Sequence, residues 1–139
     1  MRTLPGLTVV LALGLASGCS GGDTPSSPKD PAVSAFATGT CRDAAPGVLA
    51  LRRAVRTLGK GPTVEPKKLQ AVADAQQQVL PMSTNPDPAG QQVLFLFREA
   101  GFVRLQATGN SYDPKVGATL LAAADRLVTT CTAPTPSPS

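Results

Sequence analysis

Three cysteines, at positions 19, 41 and 131, are the side chains of this 139-residue chain with the widest chemistry open to them. A cysteine ligates metals, attacks electrophiles, carries covalent groups or pairs with a second cysteine, and an odd number requires more than pairing. The chain has no histidine. That removes the commonest metal ligand, the usual general base and every dyad or triad built on imidazole. Two cysteines without histidine also make a poor zinc site, so no metal is expected.

Acid–base work would fall to Asp43, Glu65, Asp74, Asp87, Glu99, Asp113 and Asp125. Asp43, Asp87 and Asp113 read as helix caps, and Glu65 borders a proline helix start. Asp125 and its neighbour Arg126 read as ordinary surface charge. No two carboxylates share a helix face at a spacing that calls for a general acid and a general base. Tyr112, the single tyrosine, stands beside Asp113-Pro114, where packing against a helix start accounts for it. There is no Gly-x-Ser-x-Gly, phosphate loop, calcium-ligand ladder or haem-attachment motif. The expectation is a protein with no catalytic residue and no cofactor.

The elements that would position these residues are helical. Cys41, Ala44, Val48, Leu51, Val55 and Leu58 recur at alternating steps of three and four, the apolar stripe of a helix. Pro46 is unwelcome deep in such a helix, which places the start at Asp43 as cap. Gly59-Lys60-Gly61-Pro62 stops it. A second helix opens at Glu65-Pro66 with Leu69, Val72, Ala73, Gln76, Val79 and Leu80 on one side, and Pro81 ends it. Asp87-Pro88 starts a third that runs to about Thr108. Asp113-Pro114 starts a fourth carrying Val116, Leu120, Ala124, Leu127 and Cys131. Val93 to Phe97 alone would suit a buried strand, but Ala100 and Val103 continue the run at helical spacing.

At this length one domain is expected. The fold predicted is all-α: an antiparallel up-down four-helix bundle over residues 40–131, its helices joined by short connections. Cys41 at the start of the first helix and Cys131 at the end of the fourth then meet at one end of the bundle, where a disulfide distorts nothing. Residues 20–39, rich in Gly, Ser, Pro, Ala and Thr, read as a disordered tether with a reach of roughly 25 Å. The tail 132–139 alternates proline with small polar residues and reads as extended and disordered.

The chain opens with Arg2 and an apolar run from Leu4 to Ala16, about the length of a signal peptide and too short for a comfortable membrane span. It ends in Ala16-Ser17-Gly18-Cys19, which resembles the lipobox of bacterial lipoproteins. Ala16 stands where leucine is commonest in that motif. The resemblance implies cleavage of residues 1–18 and a mature chain that begins at a diacylglycerol-bearing Cys19, with 19–39 as tether. Such an anchor places the protein on the extracytoplasmic face of the cell membrane, where a disulfide is permitted.

Two surfaces stand out. On the third helix Val93, Leu96, Phe97, Ala100 and Val103 form the core stripe, while Phe95 and Phe102 fall on the opposite side among Gln91, Arg98, Glu99 and Gln106. Those two phenyls read either as a ridge that docks an envelope protein, or as a face that Phe36 and the segment 32–37 cover or that a skewed bundle buries; burial by the protein itself, in one of these two ways, is preferred. The second surface is cationic. Arg52, Arg53, Arg56, Lys60, Lys67 and Lys68, with Arg104 and Lys115, belong toward the end opposite the disulfide, against Glu65 and Asp113. A tether entering at the disulfide end would point these cations outward, toward anionic wall polymer, although a plain solvated surface explains them as well. Nucleic acid is not expected, since no aromatic stacking platform accompanies the charge.

The run Thr38 to Pro46 through Leu58-Gly59, the segment Asn110-Ser111-Tyr112-Asp113-Pro114 and the late Cys131-Thr132 together resemble small actinobacterial lipoproteins. The motifs are structural, being cysteines, caps and a stripe. The resemblance therefore implies a location and a fold, and no reaction. The function expected is a non-enzymatic binding or accessory module of the envelope, with an apolar-ligand carrier as the alternative.

Overall fold

Proline marks where three of the four helices begin. Pro66, Pro88 and Pro114 each occupy the first helical position, where the missing N–H costs nothing and the fixed φ suits the helix. The computed structural model describes residues 29–134. The segment 1–18, Cys19 and residues 135–139 of the tail lie outside that range. Among the described residues there are four α-helices, α1 (Thr40–Arg56), α2 (Pro66–Val79), α3 (Pro88–Thr108) and α4 (Pro114–Thr132), and no strand. Two of the expected caps are in place. Asp87 accepts from the Gly90 N–H at 2.6 Å, and Asp113 accepts from the Lys115 N–H at 2.9 Å.

The start of α1 differs from expectation. Gly39, at φ 82°, precedes the helix, Asp43 lies in its first turn, and Pro46 is inside it. The Pro46 ring faces solvent but removes the bond that the Arg42 carbonyl would accept. Tertiary contacts hold the turn instead. Thr40 Oγ1 donates to Asp87 Oδ2 at 2.7 Å, the Arg42 guanidinium donates to the carbonyls of Phe36 and Ser34, and Cys41 is bonded to Cys131. At the other soft point, α2 tightens after Val79 into a 3₁₀ turn, Leu80–Thr84, that carries Pro81. Leu80, placed on the core side by the sequence, is 39% exposed, and Ala75 fills the core instead.

Each helix packs on the next, and α4 returns against α1, so that α1 and α3 face each other across the middle. Leu51, Val72, Val79, Val93, Leu96, Ala100, Val103 and Leu120 are fully buried there. The disulfide ties the start of α1 to the end of α4, with a Cα–Cα distance of 5.5 Å across 90 residues of sequence. The Tyr112 N–H donates to the Pro62 carbonyl, joining the α1–α2 and α3–α4 connections. Asn85 Nδ2 donates to Thr40 Oγ1, joining the α2–α3 connection to the first residue of α1.

The described part of the expected tether is ordered. Residues 33–35 form a 3₁₀ turn, Phe36 is 2% exposed within the core, and the Ala37 N–H donates to the Cys131 carbonyl at 2.8 Å. The packed unit therefore extends N-terminally past residue 40 and includes residues 30–39. At the other end, α4 takes in Thr132, the first residue of the expected tail.

Candidate functional site

The cationic cluster resolves into two kinds of residue. Arg52 is only 5% exposed and is the centre of an ion-pair network. Its Nε donates to Asp125 Oδ1 at 2.7 Å, and one terminal nitrogen donates to Asp30 Oδ1 at 3.0 Å. Arg53 donates to the other Asp30 oxygen at 2.8 Å, and Arg56 approaches both carboxylates at 3.9 Å. A buried guanidinium requires such partners, because its desolvation is otherwise uncompensated. This corrects two expectations. Arg52 is not available to a polymer, and Asp125 is a structural partner rather than idle surface charge.

The network also moves the point at which the N-terminal segment leaves the bundle. Asp30 pairs with Arg52, about 16 Å along α1 from Cys41 at a rise of about 1.5 Å per residue. The chain reaches the disulfide end only at Ala37. Entry at the disulfide end, which made the opposite end the outward one, is therefore replaced by entry along the α1 flank.

Lys60 and Lys67 are exposed, and Lys68 is half-buried at 3.9 Å from Glu65. Arg104 is spent internally. It donates to Gln76 Oε1 at 2.7 Å, while Gln76 Nε2 donates to the Phe97 carbonyl, so the polar residue on the α2 core stripe is satisfied.

Phe95 and Phe102 remain 46% and 47% exposed. Phe36 is buried in the core cluster and does not remove them from solvent, so the preferred reading of burial by the protein itself does not hold. Leu105, 70% exposed, continues the row. From Phe95 to Leu105 the ridge runs about 15 Å along α3. A groove of about 410 Å³ between α3 and α4 adjoins it, lined by Pro88, Gln91, Gln92, Phe95, Ala123 and Arg126. Helix α3 is thus apolar on both its core side and part of its solvent side, which is unusual for a helix with only one packed face.

Two other places carry shifted ionisation. Asp87 is held below the usual carboxylate range, first by the Thr40 hydroxyl and then by the Gly90 N–H. The Tyr112 phenol is pushed up, first by burial and then by the neighbouring Asp113 carboxylate. Its hydroxyl occupies the space that a side chain at position 117 would need, which explains glycine there. Tyr112 lines a small cleft with Arg56 and Lys60, and no carboxylate lines that cleft with them. Among the described residues no three potential ligands gather around a point where a metal ion would fit. No helix among them is long and apolar enough to cross a membrane.

Comparison of the chain with protein-family models, curated proteins and solved structures finds no match. Sequence reasoning missed Asp30, in a stretch of linker-like composition, and set Phe36 over the α3 phenyls where the structure buries it in the core. The only local signal was a carboxylate and a phenyl where a tether needs neither.

Proposed function

We propose that this chain is a lipid-anchored envelope protein of the small actinobacterial lipoprotein kind, held by Cys19 to the outer face of the cytoplasmic membrane. Its helical domain serves as a non-enzymatic binding or accessory module. The observation that carries this reading is the pair of half-exposed phenyls on α3, Phe95 and Phe102, beside an open groove. Aromatic anchors flanked by polar residues are the commonest centres of protein–protein recognition. The Cys41–Cys131 bond supports the compartment, since such bonds persist where the surroundings are oxidising. The antiparallel up-down order of the helices belongs to the same reading and is supported by the Tyr112–Pro62 bond between two of the connections.

Crosslinking from photoreactive residues placed at Gln91 and Gln106 in living cells tests it. One envelope protein should be captured by the native chain and lost with the pair Phe95→Ser and Phe102→Ser, while the disulfide-closed bundle persists. Equal capture by both chains excludes the phenyl face. Mass spectrometry of the N-terminal peptide tests the anchor separately: a diacylglycerol on Cys19 is expected.

The wall-polymer reading loses Arg52 and much of Arg53 to internal pairing, and keeps Lys60, Lys67 and Lys68. The carrier reading would use the α3–α4 groove. Binding of an apolar probe there, abolished by Phe95→Ser, is its signature.

A further inference from the structure

The net charge of this protein has an address. The chain carries thirteen lysines and arginines and nine carboxylates, a formal excess of +4. Residues 29–60 hold six of those cations, Lys29, Arg42, Arg52, Arg53, Arg56 and Lys60, and only two of the carboxylates, Asp30 and Asp43. The rest of the chain is left with seven of each sign and is formally neutral. The whole excess therefore belongs to the stretch from Lys29 through α1 to Lys60 in the connection that follows it.

Folding keeps these cations on one flank, where two carboxylates from neighbouring helices offset part of the excess. The segment from Lys29 is fastened along α1 by Asp30 on Arg52 and Arg53, by Phe36 in the core and by the Ala37 bond to Cys131. Lys29, Arg42, Arg53 and Lys60 are exposed on that side, and Arg56 partly so. The carboxylates that face the cluster from neighbouring elements are Asp125 on α4 and Asp74 on α2, which lines a groove with Arg53. Helix α3, with its phenyls, lies diagonally across the bundle from α1.

We propose that the α1 flank lies against anionic phospholipid headgroups, with Lys29, Arg56 and Lys60 as the contacting cations, and that the α3 phenyls face outward. The proposal rests on the membrane-anchored reading above for the source of the surface. Lys29 is ten residues beyond Cys19, a contour of at most about 35 Å, and it enters the fold beside the cations themselves. The surface nearest an anchored Cys19 is thus the positively charged one. Electrostatic attraction acts within a Debye length of about 8 Å, and each cation brought to an anionic leaflet strengthens binding about fivefold. Anionic wall polymer shares the charge but not the geometry, because nothing draws it to the flank where the chain enters.

The test uses the purified lipoprotein reconstituted on phosphatidylcholine vesicles with or without 30% phosphatidylglycerol, and a membrane-impermeant amine reagent. Lys67, at the start of α2, serves as the internal standard on the same chain. With phosphatidylglycerol present, Lys29 and Lys60 should react several-fold more slowly than the standard, and 1 M salt should restore them. Equal reactivity at all three lysines overturns the proposal, as does slowing at Lys67 instead. Slowing on phosphatidylcholine alone would show contact without charge recognition and overturns it too. Slowing only after an anionic wall polymer is added transfers the flank to that polymer. The pair Lys29→Gln and Lys60→Gln should weaken vesicle association of the delipidated chain about 25-fold in low salt, at unchanged melting temperature. Absence of lipid on Cys19 would sink the anchor alone, since phosphatidylglycerol-dependent slowing is read independently.

Discussion

The Nε of Arg52 donates to Asp125 Oδ1 at 2.7 Å across the α1–α4 contact, although only 6% of the Arg52 side chain reaches solvent. Asp30 completes the pairing from the N-terminal segment at 3.0 Å. One guanidinium thus joins three stretches of chain that are far apart in sequence.

Removing that guanidinium should cost more than removing either partner. Arg52→Ala deletes packed methylenes and strands two carboxylates, and a loss of about 2–3 kcal/mol is expected, discounted because Asp125 is half-exposed. Arg52→Met, which keeps the volume, should lose less. Asp30→Asn should cost under about 1 kcal/mol, yet amide exchange across residues 31–37 should quicken markedly. Urea denaturation and hydrogen exchange check these values. An Arg52→Ala chain unfolding at the native midpoint would contradict the assignment of Arg52 as a hub.

Opening the disulfide should have a larger effect. The bond spans 90 residues, and the chain-entropy relation gives about 4.5 kcal/mol for a loop of that size. Reduction, or Cys41→Ser with Cys131→Ser, should lower the denaturation midpoint by that equivalent. The reduced protein should remain helical, because the core lies mostly away from the cysteines. A midpoint indifferent to reductant would refute this.

Tyr112 and Gly117 are coupled through space. A Cβ at 117 runs into the Tyr112 hydroxyl, so Gly117→Ala should destabilise by about 1–3 kcal/mol despite its better helix propensity. Tyr112→Phe in the same chain should recover part of the loss, since the ring carbon is a looser neighbour than the hydroxyl. A double-mutant cycle measures the coupling, and strict additivity would argue against contact.

Asp87 supplies the acid dependence. Its folded value lies below the ordinary 3.8 because the charged form accepts from Thr40 and Gly90. A lowered carboxylate stabilises the fold fully above the unfolded value and ceases to do so as pH falls through the folded one. Stability should therefore decline below about pH 4, and Thr40→Val should bring the Asp87 titration back toward its ordinary range. Carbon-detected titration of the carboxyl checks both; an unmoved Asp87 in the Thr40 variant would contradict the stated cause.

The parts of this architecture written in local chemistry were legible. Asp87-Pro88 and Asp113-Pro114 name their helix starts through capping and a fixed φ, and the stripe from Ala44 to Leu58 names the buried side of α1. The parts decided by distant partners were not. Asp30 looks like linker charge until Arg52 is beside it, and Arg52 looks like solvent-facing charge until Asp125 is. Pro46 read locally bars a start at Thr40, yet Asp87, Cys131 and Phe36 hold that turn from outside. For the candidate surface, helical spacing placed Phe95 and Phe102 on the outer face, but composition could not say whether a nearby segment would cover them.

The disulfide joins the first turn of α1 to the last turn of α4. Tension applied between the two ends of the protein therefore passes from Cys41 directly to Cys131. The helices between them lie outside the line of force. Pulling can strip the Asp30 clasp and lift Phe36, but it cannot draw out the bundle while that bond is intact. Under force applied at the two chain ends, the link acts as a mechanical bypass.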